Sequence, residues 1–177
     1  MGKIMRGLVI GLLLALLAPP EAAADMENDE TRCESNDLDI SISGCTALIN
    51  SGQMTRTDLS AAYTMRATSY ERKSLYDQAI ADSNKAIALD ANGANYLVRG
   101  IAYLGKRFFD QAIADETKAI ALVTVISEKA EAYEMRGAAF ELKNQSDKAV
   151  ADYRASLKLE PNRKNSLEGL KRLGVTP

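Results

Sequence analysis

The residues of this chain that could do chemistry are two cysteines and a set of recurring charged side chains. None of its 177 residues is a histidine, so the commonest general base and the commonest metal ligand are both missing. The sequence also contains no glycine-rich phosphate loop, no cluster with metal-ligand spacing and no nucleophile–base set. We therefore expect no enzymatic activity, no metal ion and no cofactor.

Cys33 and Cys45 are the only cysteines. Both follow residues 1–24, which have the pattern of a signal peptide. An even pair in an exported protein is expected to form a disulfide, which would tie the residues around Cys33 to a helix predicted over 37–50. Redox chemistry is the alternative, but the pair lacks the C-x-x-C spacing that is typical of it. A structural disulfide is the favoured interpretation.

Three arginines and three aspartates recur with a constant separation of 16 residues. This spacing predicts ion pairs between the two packed helices of a repeating unit, because an arginine without a partner is costly to bury. A ladder of arginines that binds an anionic ligand is the alternative. The predicted pairs are Arg66–Asp82, Arg99–Asp115 and Arg136–Asp152.

These aspartates lie within a phrase that the chain repeats. Residues 76–90 read YDQAIADSNKAIALD and residues 109–123 read FDQAIADETKAIALV, with eleven identical positions, and a looser copy, SDKAVADYRASLKLE, occupies 146–160. Each copy follows a second recurring line: YTMRATSY, YLVRGIAY or YEMRGAAF. Self-similarity at offsets of 33 and 37 residues predicts stacked helical hairpins, since one such unit cannot bury its apolar face alone.

The pattern predicts an all-α chain with eight helices, the second and sixth of them N-capped by Thr57 and Ser127. Residues 122–126, which hold the additional residues before the third copy, are compatible with either a longer helix or an irregular link. Asn162 is expected to cap the final helix. The predicted helices span 37–50, 58–72, 75–89, 93–105, 109–122, 127–142, 146–159 and 162–173.

The two recurring lines resemble the tetratricopeptide repeat, because small and aromatic positions recur together three times. The resemblance covers about residues 58–163 and implies a solenoid of about three repeats, with an N-terminal half-repeat in 25–57 and a C-terminal capping helix in 164–177. The repeats would span about 60–92, 93–126 and 130–163. The matching residues are Tyr63, Ala67, Tyr70, Tyr76, Ala79 and Ala86, then Tyr96, Gly100, Tyr103, Phe109, Ala112 and Ala119, then Tyr133, Gly137, Phe140, Ala149 and Pro161.

The resemblance also implies a binding surface, the concave groove lined by the first helix of each repeat. The lysines and asparagines with which some family members clamp a terminal carboxylate are absent there. An apolar strip with acids on the third repeat suits an amphipathic or extended segment with apolar anchors and a basic end. In the alternative, Leu97, Ile101 and Leu104 pack beneath a neighbouring helix or beneath the N-terminal leader. The positions that face the groove by the family's pattern are Thr64, Thr68 and Glu71, Leu97, Ile101 and Leu104, and Glu134, Ala138 and Glu141.

Residues 1–24 have the pattern of a signal peptide. Lys3 and Arg6 precede a short apolar run, and two prolines and a small-residue cleavage pattern follow it. We expect cleavage after Ala24, no stable membrane insertion afterwards, and export to the periplasm of a Gram-negative bacterium; an uncleaved membrane anchor is the alternative. Residues 25–39 hold seven carboxylates and one arginine, which predicts a mobile acidic arm. A segment that attracts a basic partner is the alternative.

Together these features favour a binding module over an enzyme. We expect an exported adaptor or assembly factor that holds a protein or peptide segment in its groove. A net charge of −2 gives no basic excess with which to bind nucleic acid. The alternative is a self-associating structural protein joined through the solenoid ends, since the chain runs from an acidic start to a basic finish.

Overall fold

The computed structural model describes residues 20–176, so the predicted targeting segment, residues 1–24, lies outside the described residues except at its end. Residues 20–176 form nine α-helices and contain no strand, which confirms the all-α prediction. Within this range, no helix combines the length and the apolar character that crossing a bilayer requires. The helices are α1 (Pro20–Cys33), α2 (Leu38–Ser51), α3 (Arg56–Arg72), α4 (Tyr76–Leu89), α5 (Gly93–Gly105), α6 (Phe109–Leu122), α7 (Ile126–Leu142), α8 (Ser146–Leu159) and α9 (Lys164–Arg172).

The helices stack as successive hairpins into a curved solenoid. α1 packs on α2, α3 on α4, α5 on α6 and α7 on α8, while α9 covers the end of α8. The first helices also touch one another, α3 against α5 and α5 against α7, whereas the second helices α4, α6 and α8 make no contact with one another. The first helices therefore line the inner, concave side of the stack, and the second helices lie on its outer side.

Each hairpin from α3 onward turns through the same unusual backbone conformation. Ser74, Arg107 and Asn144 are left-handed, with φ of 59°, 63° and 56°. The next residue then donates its N–H back into the last turn of the first helix, as Leu75 does to the Tyr70 carbonyl at 2.8 Å. This bond satisfies a carbonyl that the helix end would leave without a partner, which compensates for the steric cost of the turn.

Small residues form much of the core. Ala67, Ala79, Ala112 and Ala149 are fully buried, and Gly100 and Gly137 occupy the position of Ala67 in the later repeats. Because their side chains are small, the helices of a hairpin approach closely, and larger residues at these points would disturb the packing.

The prediction of a mobile acidic arm over residues 25–39 is wrong for most of its length. Helix α1 continues to Cys33, whose side chain is 2% exposed. The Cys33 carbonyl accepts a hydrogen bond from Ser41 Oγ at 2.8 Å, and the Cys33–Cys45 disulfide is formed. Packing on α2 and this cross-link order a segment whose composition alone indicated a solvated leader.

The predicted caps of three helices are also wrong. α3 begins at Arg56, so Thr55 rather than Thr57 is its N-cap, and Thr55 Oγ1 accepts the Asp58 N–H at 3.2 Å. α7 begins at Ile126 after Val125, without a side-chain cap, and α9 follows Arg163 rather than Asn162. Of these three helices, α3 alone therefore has a side-chain cap at its start.

The link between α6 and α7 is irregular, which settles the alternative that the sequence left open. Val123 ends α6, donates its N–H to the Ala119 carbonyl at 2.8 Å and is 5% exposed. It packs against Gly93 at the start of α5, where a larger residue would clash with the link. The buried Val123 therefore holds the longer link between α6 and α7 against helix α5 of the second repeat.

Candidate binding groove

The structure joins the three recurring arginines to the three recurring aspartates. In each repeat, arginine Nε and Nη2 donate to the two carboxylate oxygens of the aspartate at 2.6–2.9 Å. Asp82, Asp115 and Asp152 are at most 6% exposed. With two of its nitrogens held in a forked pair, each arginine is a structural link between packed helices and not a free anion receptor.

The third arginine nitrogen makes a contact that the sequence analysis did not anticipate. Nη1 of Arg66 donates to Thr46 Oγ1 at 2.9 Å, and Nη1 of Arg99 donates to Asn84 Oδ1 at 2.7 Å. Arg136 reaches Thr117 in the same way at 3.0 Å. Each arginine thus ties its own hairpin to the second helix of the preceding hairpin.

A second series of ion pairs, also missed from the sequence, runs along the exposed edge where the hairpins turn. Lys73, Lys106 and Lys143 follow the ends of their first helices, and each pairs with an aspartate at the start of the preceding second helix. The aspartates are about 80% exposed, so each pair stabilises the stack only weakly. The sequence signal that could have predicted these ion pairs is a lysine seven residues after each arginine of the Arg–Asp pairs. The aspartates are Asp39, Asp77 and Asp110.

Several residues predicted to face the groove are occupied inside the chain. Leu97 is 5% exposed and packs with Ala119 and Ala132, so the alternative of a core role holds for Leu97. Glu134 is 2% exposed and accepts hydrogen bonds from Arg163 Nε at 3.1 Å and from Ser166 Oγ at 3.0 Å. The expectation that Leu97 and Glu134 meet a partner is therefore corrected: both are internal.

Glu141 and Thr64 also have internal partners. Arg172 donates through Nε and Nη2 to the two oxygens of Glu141 at 2.8 and 2.9 Å, and Tyr153 donates its hydroxyl to Glu141 Oε2 at 2.6 Å. The Arg172 hydrogen bond, ahead of the opposing effect of burial, lowers the pKa of Glu141. Thr64 is hydrogen-bonded to Asn95 of α5. Arg172 of α9 thus compensates the charge of Glu141.

Thr68, Ile101, Leu104 and Ala138 remain half-exposed on the three first helices. Thr68, Ile101 and Ala138 share one register position, at offsets of 33 and 37 residues along the chain, and Leu104 lies one turn beyond Ile101. These four residues, which we call the groove strip, cross the concave side from α3 to α7. The groove strip is largely apolar and gives a partner side chain somewhere to pack.

Two glutamates flank the groove strip without partners among the described residues. Glu71 near the end of α3 and Glu131 near the start of α7 are half-buried, and neither has a hydrogen bond or ion pair with another residue of the range 20–176. Burial, followed by the charge of Glu131, raises the pKa of Glu71. Burial likewise raises the pKa of Glu131, against the opposing charge of Arg163. Two desolvated carboxylates therefore lie on α3 and α7 without a hydrogen-bonded partner in this range, and the charges of Arg72 and Arg163 offset part of the effect of their burial.

A third glutamate, Glu116 of α6, is completely buried. It is 0% exposed, and neither carboxylate oxygen has a hydrogen-bond partner among the described residues. Burial above all, and then the charge of Glu131, raises its pKa well above the ordinary value. Its carboxyl group lies against Gly100 of α5, where an added methyl group would clash with it.

Glu116 takes the place of different residues in the other hairpins. Tyr153 lies against Gly137 in the third repeat, and Ser83 follows Ala67 by the same 16 residues in the first. Ser83 Oγ is buried without a partner in the described range as well. Tyr153, by contrast, fills the corresponding site, and its hydroxyl donates a hydrogen bond to Glu141. Glu116 is thus the ionisable group at this register that no described neighbour satisfies.

The disulfide lies at the same register of the N-terminal hairpin. Cys45 is 0% exposed and is bonded to Cys33 at the end of α1. Cys33 and Cys45 pack with Leu48, and Met54 and Met65 cover them. The cross-link therefore holds α1 and α2 as the hairpin that closes the start of the solenoid. Within residues 20–176, no group of three acidic or sulfur-bearing side chains is placed to hold a metal ion.

The geometry defines a class of protein, a stack of helical hairpins whose concave side is built from the first helices. A family model described as the tetratricopeptide repeat matches residues 60–92 and 130–163. The hairpin between them, α5–α6, carries the same Arg–Asp pair and the same turn. Hairpins α3–α4 and α7–α8 are therefore assigned as tetratricopeptide repeats, and the described chain has the fold of that repeat.

Solved structures support this assignment. The Arabidopsis OM64 TPR domain is 29% identical, with a TM-score of 0.63 over 67% of this chain and 97% of that one. The second TPR domain of human RPAP3, in complex with the HSP70 peptide SGPTIEEVD, is 26% identical, with a TM-score of 0.62 over 68% and 98%. A MamA crystal structure, at 20% identity and a TM-score of 0.70 over 85% and 79%, shares the fold. No curated protein sequence matches the chain.

Proposed function

We propose that this protein is an adaptor that holds a segment of a partner protein against its groove strip. The observation that carries the proposal is the groove strip itself. Thr68, Ile101, Leu104 and Ala138 stay half-exposed on the concave side, although helix α9 packs on the third repeat. A shaped apolar groove is sufficient for recognition of a peptide segment. The RPAP3 domain, which has the same fold, was solved with a peptide bound.

We further propose that the protein works after export, in the periplasm. The predicted signal peptide supports this location, and so does the buried Cys33–Cys45 disulfide, because such bonds persist in oxidising compartments. Mass spectrometry of the protein recovered from the periplasmic fraction would give a mature N-terminus at Asp25. A chain that retains residues 1–24 and sediments with membranes would support the uncleaved anchor instead.

The adaptor proposal is tested by blocking the groove with one long side chain. Ala138→Arg places such a side chain on the groove strip, and Ala151→Arg makes the same change at an exposed position of α8 in the same repeat. Affinity capture from envelope extract should recover a protein with the wild type and with Ala151→Arg, and lose it with Ala138→Arg. Circular dichroism establishes that both variants fold.

Other outcomes of the capture are equally informative. A partner retained by Ala138→Arg would move the binding site away from the groove and contradict the proposal. Recovery of further copies of this chain alone, with sedimentation that depends on protein concentration and collapses in high salt, would favour the self-associating structural protein.

A further inference from the structure

We propose that the Cys33–Cys45 disulfide makes the docking of helix α1 depend on the redox state of the protein. While the bond is intact, α1 is held against α2 and α3. When the bond is reduced, α1 leaves the solenoid, and residues 25–36 become a mobile acidic arm. Neither the groove strip nor its partner is involved. The N-terminal hairpin thus has two states, of which the structure shows the oxidised one.

Helix α1 has little intrinsic stability. After cleavage behind Ala24, only residues 25–33 of the helix would be left, and an isolated helix shorter than about 12 residues is marginal in water. Glu27 and Glu30 stand three positions apart, and Glu30 and Glu34 four positions apart, where like charges on a helix repel one another. Contacts with the rest of the chain must therefore hold α1 in place.

The contacts that hold α1 are concentrated at its last two residues. Among the α1 side chains that the structure describes, from Glu27 to Cys33, Cys33 alone is buried, and the others are exposed or half-exposed. The Arg32 guanidinium donates to Ser43 Oγ of α2 in a contact that is open to solvent. The Ser41 hydroxyl donates to the Cys33 carbonyl at 2.8 Å. The disulfide is therefore the anchor that keeps this end of α1 on α2.

The charges of the docked helix work against docking. Burial, followed by the charges of Glu34, Asp58 and Glu27, raises the pKa of Glu30. In the docked helix, three other carboxylates thus repel the charge of Glu30. Release of α1 would separate Glu30 from Asp58 of α3 and return it to water. The covalent bond therefore holds the hairpin against an electrostatic cost.

Reduction of the bond is an exchange with a dithiol. One thiolate of the dithiol attacks a sulfur of the Cys33–Cys45 bond, and its second thiol resolves the mixed disulfide that results. Two electrons and two protons pass to the protein, so Cys33 and Cys45 become thiols and the dithiol becomes a disulfide. Cys33 is 2% exposed, but it lies at the end of α1 beside the exposed Glu34. The reductant reaches the bond when that end of the helix opens.

The rest of the solenoid does not need α1. The Arg66 guanidinium of α3 donates to Thr46 of α2 at 2.9 Å, and the hydroxyls of Ser41 of α2 and Ser69 of α3 share a hydrogen bond of 2.9 Å. Neither contact involves α1. Reduction should therefore release α1, uncover the Met65 side chain that packs against the disulfide, and leave α2 to α9 folded.

Limited proteolysis with an endoprotease that cuts after glutamate measures the state of α1. The protein, purified with its disulfide intact, is digested with and without dithiothreitol, and mass spectrometry locates each cut and counts the alkylated thiols. We expect cleavage after Glu27, Glu30 and Glu34 to become at least about tenfold faster in dithiothreitol, since a cross-link of this size contributes on the order of a hundredfold to docking. The half-buried Glu71 and Glu131 should stay uncut.

Replacing both cysteines by serine gives the matched control. The double variant Cys33→Ser, Cys45→Ser should be cut at the rate of the reduced wild type, whether or not dithiothreitol is present. Faster cleavage of α1 in both reduced wild type and variant would support the proposal. The reduced wild type carries the test even where the double variant does not fold, because its reduction is followed in the folded protein.

Three outcomes would overturn the proposal. Two free thiols without faster cleavage of α1 would mean that packing, and not the bond, holds the helix. Cleavage throughout the chain on reduction would mean that the bond stabilises the whole solenoid. A bond that dithiothreitol leaves intact in the folded protein would not respond to redox state at all.

Discussion

The change Glu116→Gln should make the protein more stable at neutral pH, although the substitution adds no contact. Glu116 is 0% exposed and has no hydrogen-bond partner among the described residues, and its burial raises its pKa well above the ordinary value of 4.5. The folded chain therefore holds a proton that the unfolded chain releases as the pH rises above about 4.5. By linkage, the wild type loses stability in that range, and the loss is complete once the pH passes the pKa of the folded state.

The size of the effect has a ceiling that does not depend on the exact pKa. Keeping a proton at pH 7 on a carboxyl with an ordinary pKa of 4.5 costs at most about 3.4 kcal/mol, at 1.36 kcal/mol per unit. Glutamine has nearly the same shape, does not titrate and leaves about the same buried polar group as the protonated acid. The variant should therefore match the wild type below about pH 4 and exceed it by up to about 3.4 kcal/mol at pH 7.

Urea unfolding followed by circular dichroism at pH 4, 5.5 and 7 measures this difference directly. Glu168→Gln, in which a half-exposed side chain on α9 is changed, is the matched control and should stay within about 0.5 kcal/mol of the wild type at each pH. A gain for Glu116→Gln that is the same at all three values, or no gain at pH 7, would refute the reasoning. It would mean that Glu116 is ionised and satisfied in the folded state.

Two further predictions concern the links between hairpins. Arg99→Met leaves Asp115, only 4% exposed, without its forked partner and should lower the free energy of unfolding by about 3 kcal/mol. Lys106→Met, which breaks an exposed pair, should lower it by less than about 1 kcal/mol in the same urea assay. Equal losses for the two variants would contradict the difference in burial between the two ion pairs. Replacing Cys33 and Cys45 together by alanine opens a loop with a sequence separation of 12 and should cost about 3 kcal/mol on the chain-entropy model, a loss that dithiothreitol should reproduce in the wild type and should not deepen in the variant.

The sequence by itself determined the repeat and the hairpin. The phrase around residues 76–90 and its copies fixed the helices α4, α6 and α8 almost to the residue, because apolar and small positions recur with the period of a helix and the hairpins are local structures. The separation of 16 residues between Arg99 and Asp115 was sufficient to predict their pairing for the same reason. Both partners lie in one hairpin, so chain geometry alone brings them together.

Caps and the N-terminal segment could not be read from local pattern in the same way. The acidic composition of residues 25–39 indicated a free arm, yet α1 continues to Cys33 because the disulfide and the packing on α2 order it. Thr55, and not Thr57, is the cap of α3. Both threonines are good cap residues by type, so local pattern alone does not distinguish between them.

The concave side was decided only by the tertiary structure. Leu97, Ile101 and Glu134 follow the family's pattern equally well, but Leu97 packs into the core, and Glu134 accepts hydrogen bonds from Arg163 and from Ser166 of α9. Glu71 and Glu131 stand 60 positions apart in the chain, on α3 and α7, and only the stacking of the hairpins lets the charge of one act on the other. A helical pattern specifies which face of a helix is apolar; the angle at which successive hairpins pack decides which of those side chains are covered and which are left for a partner.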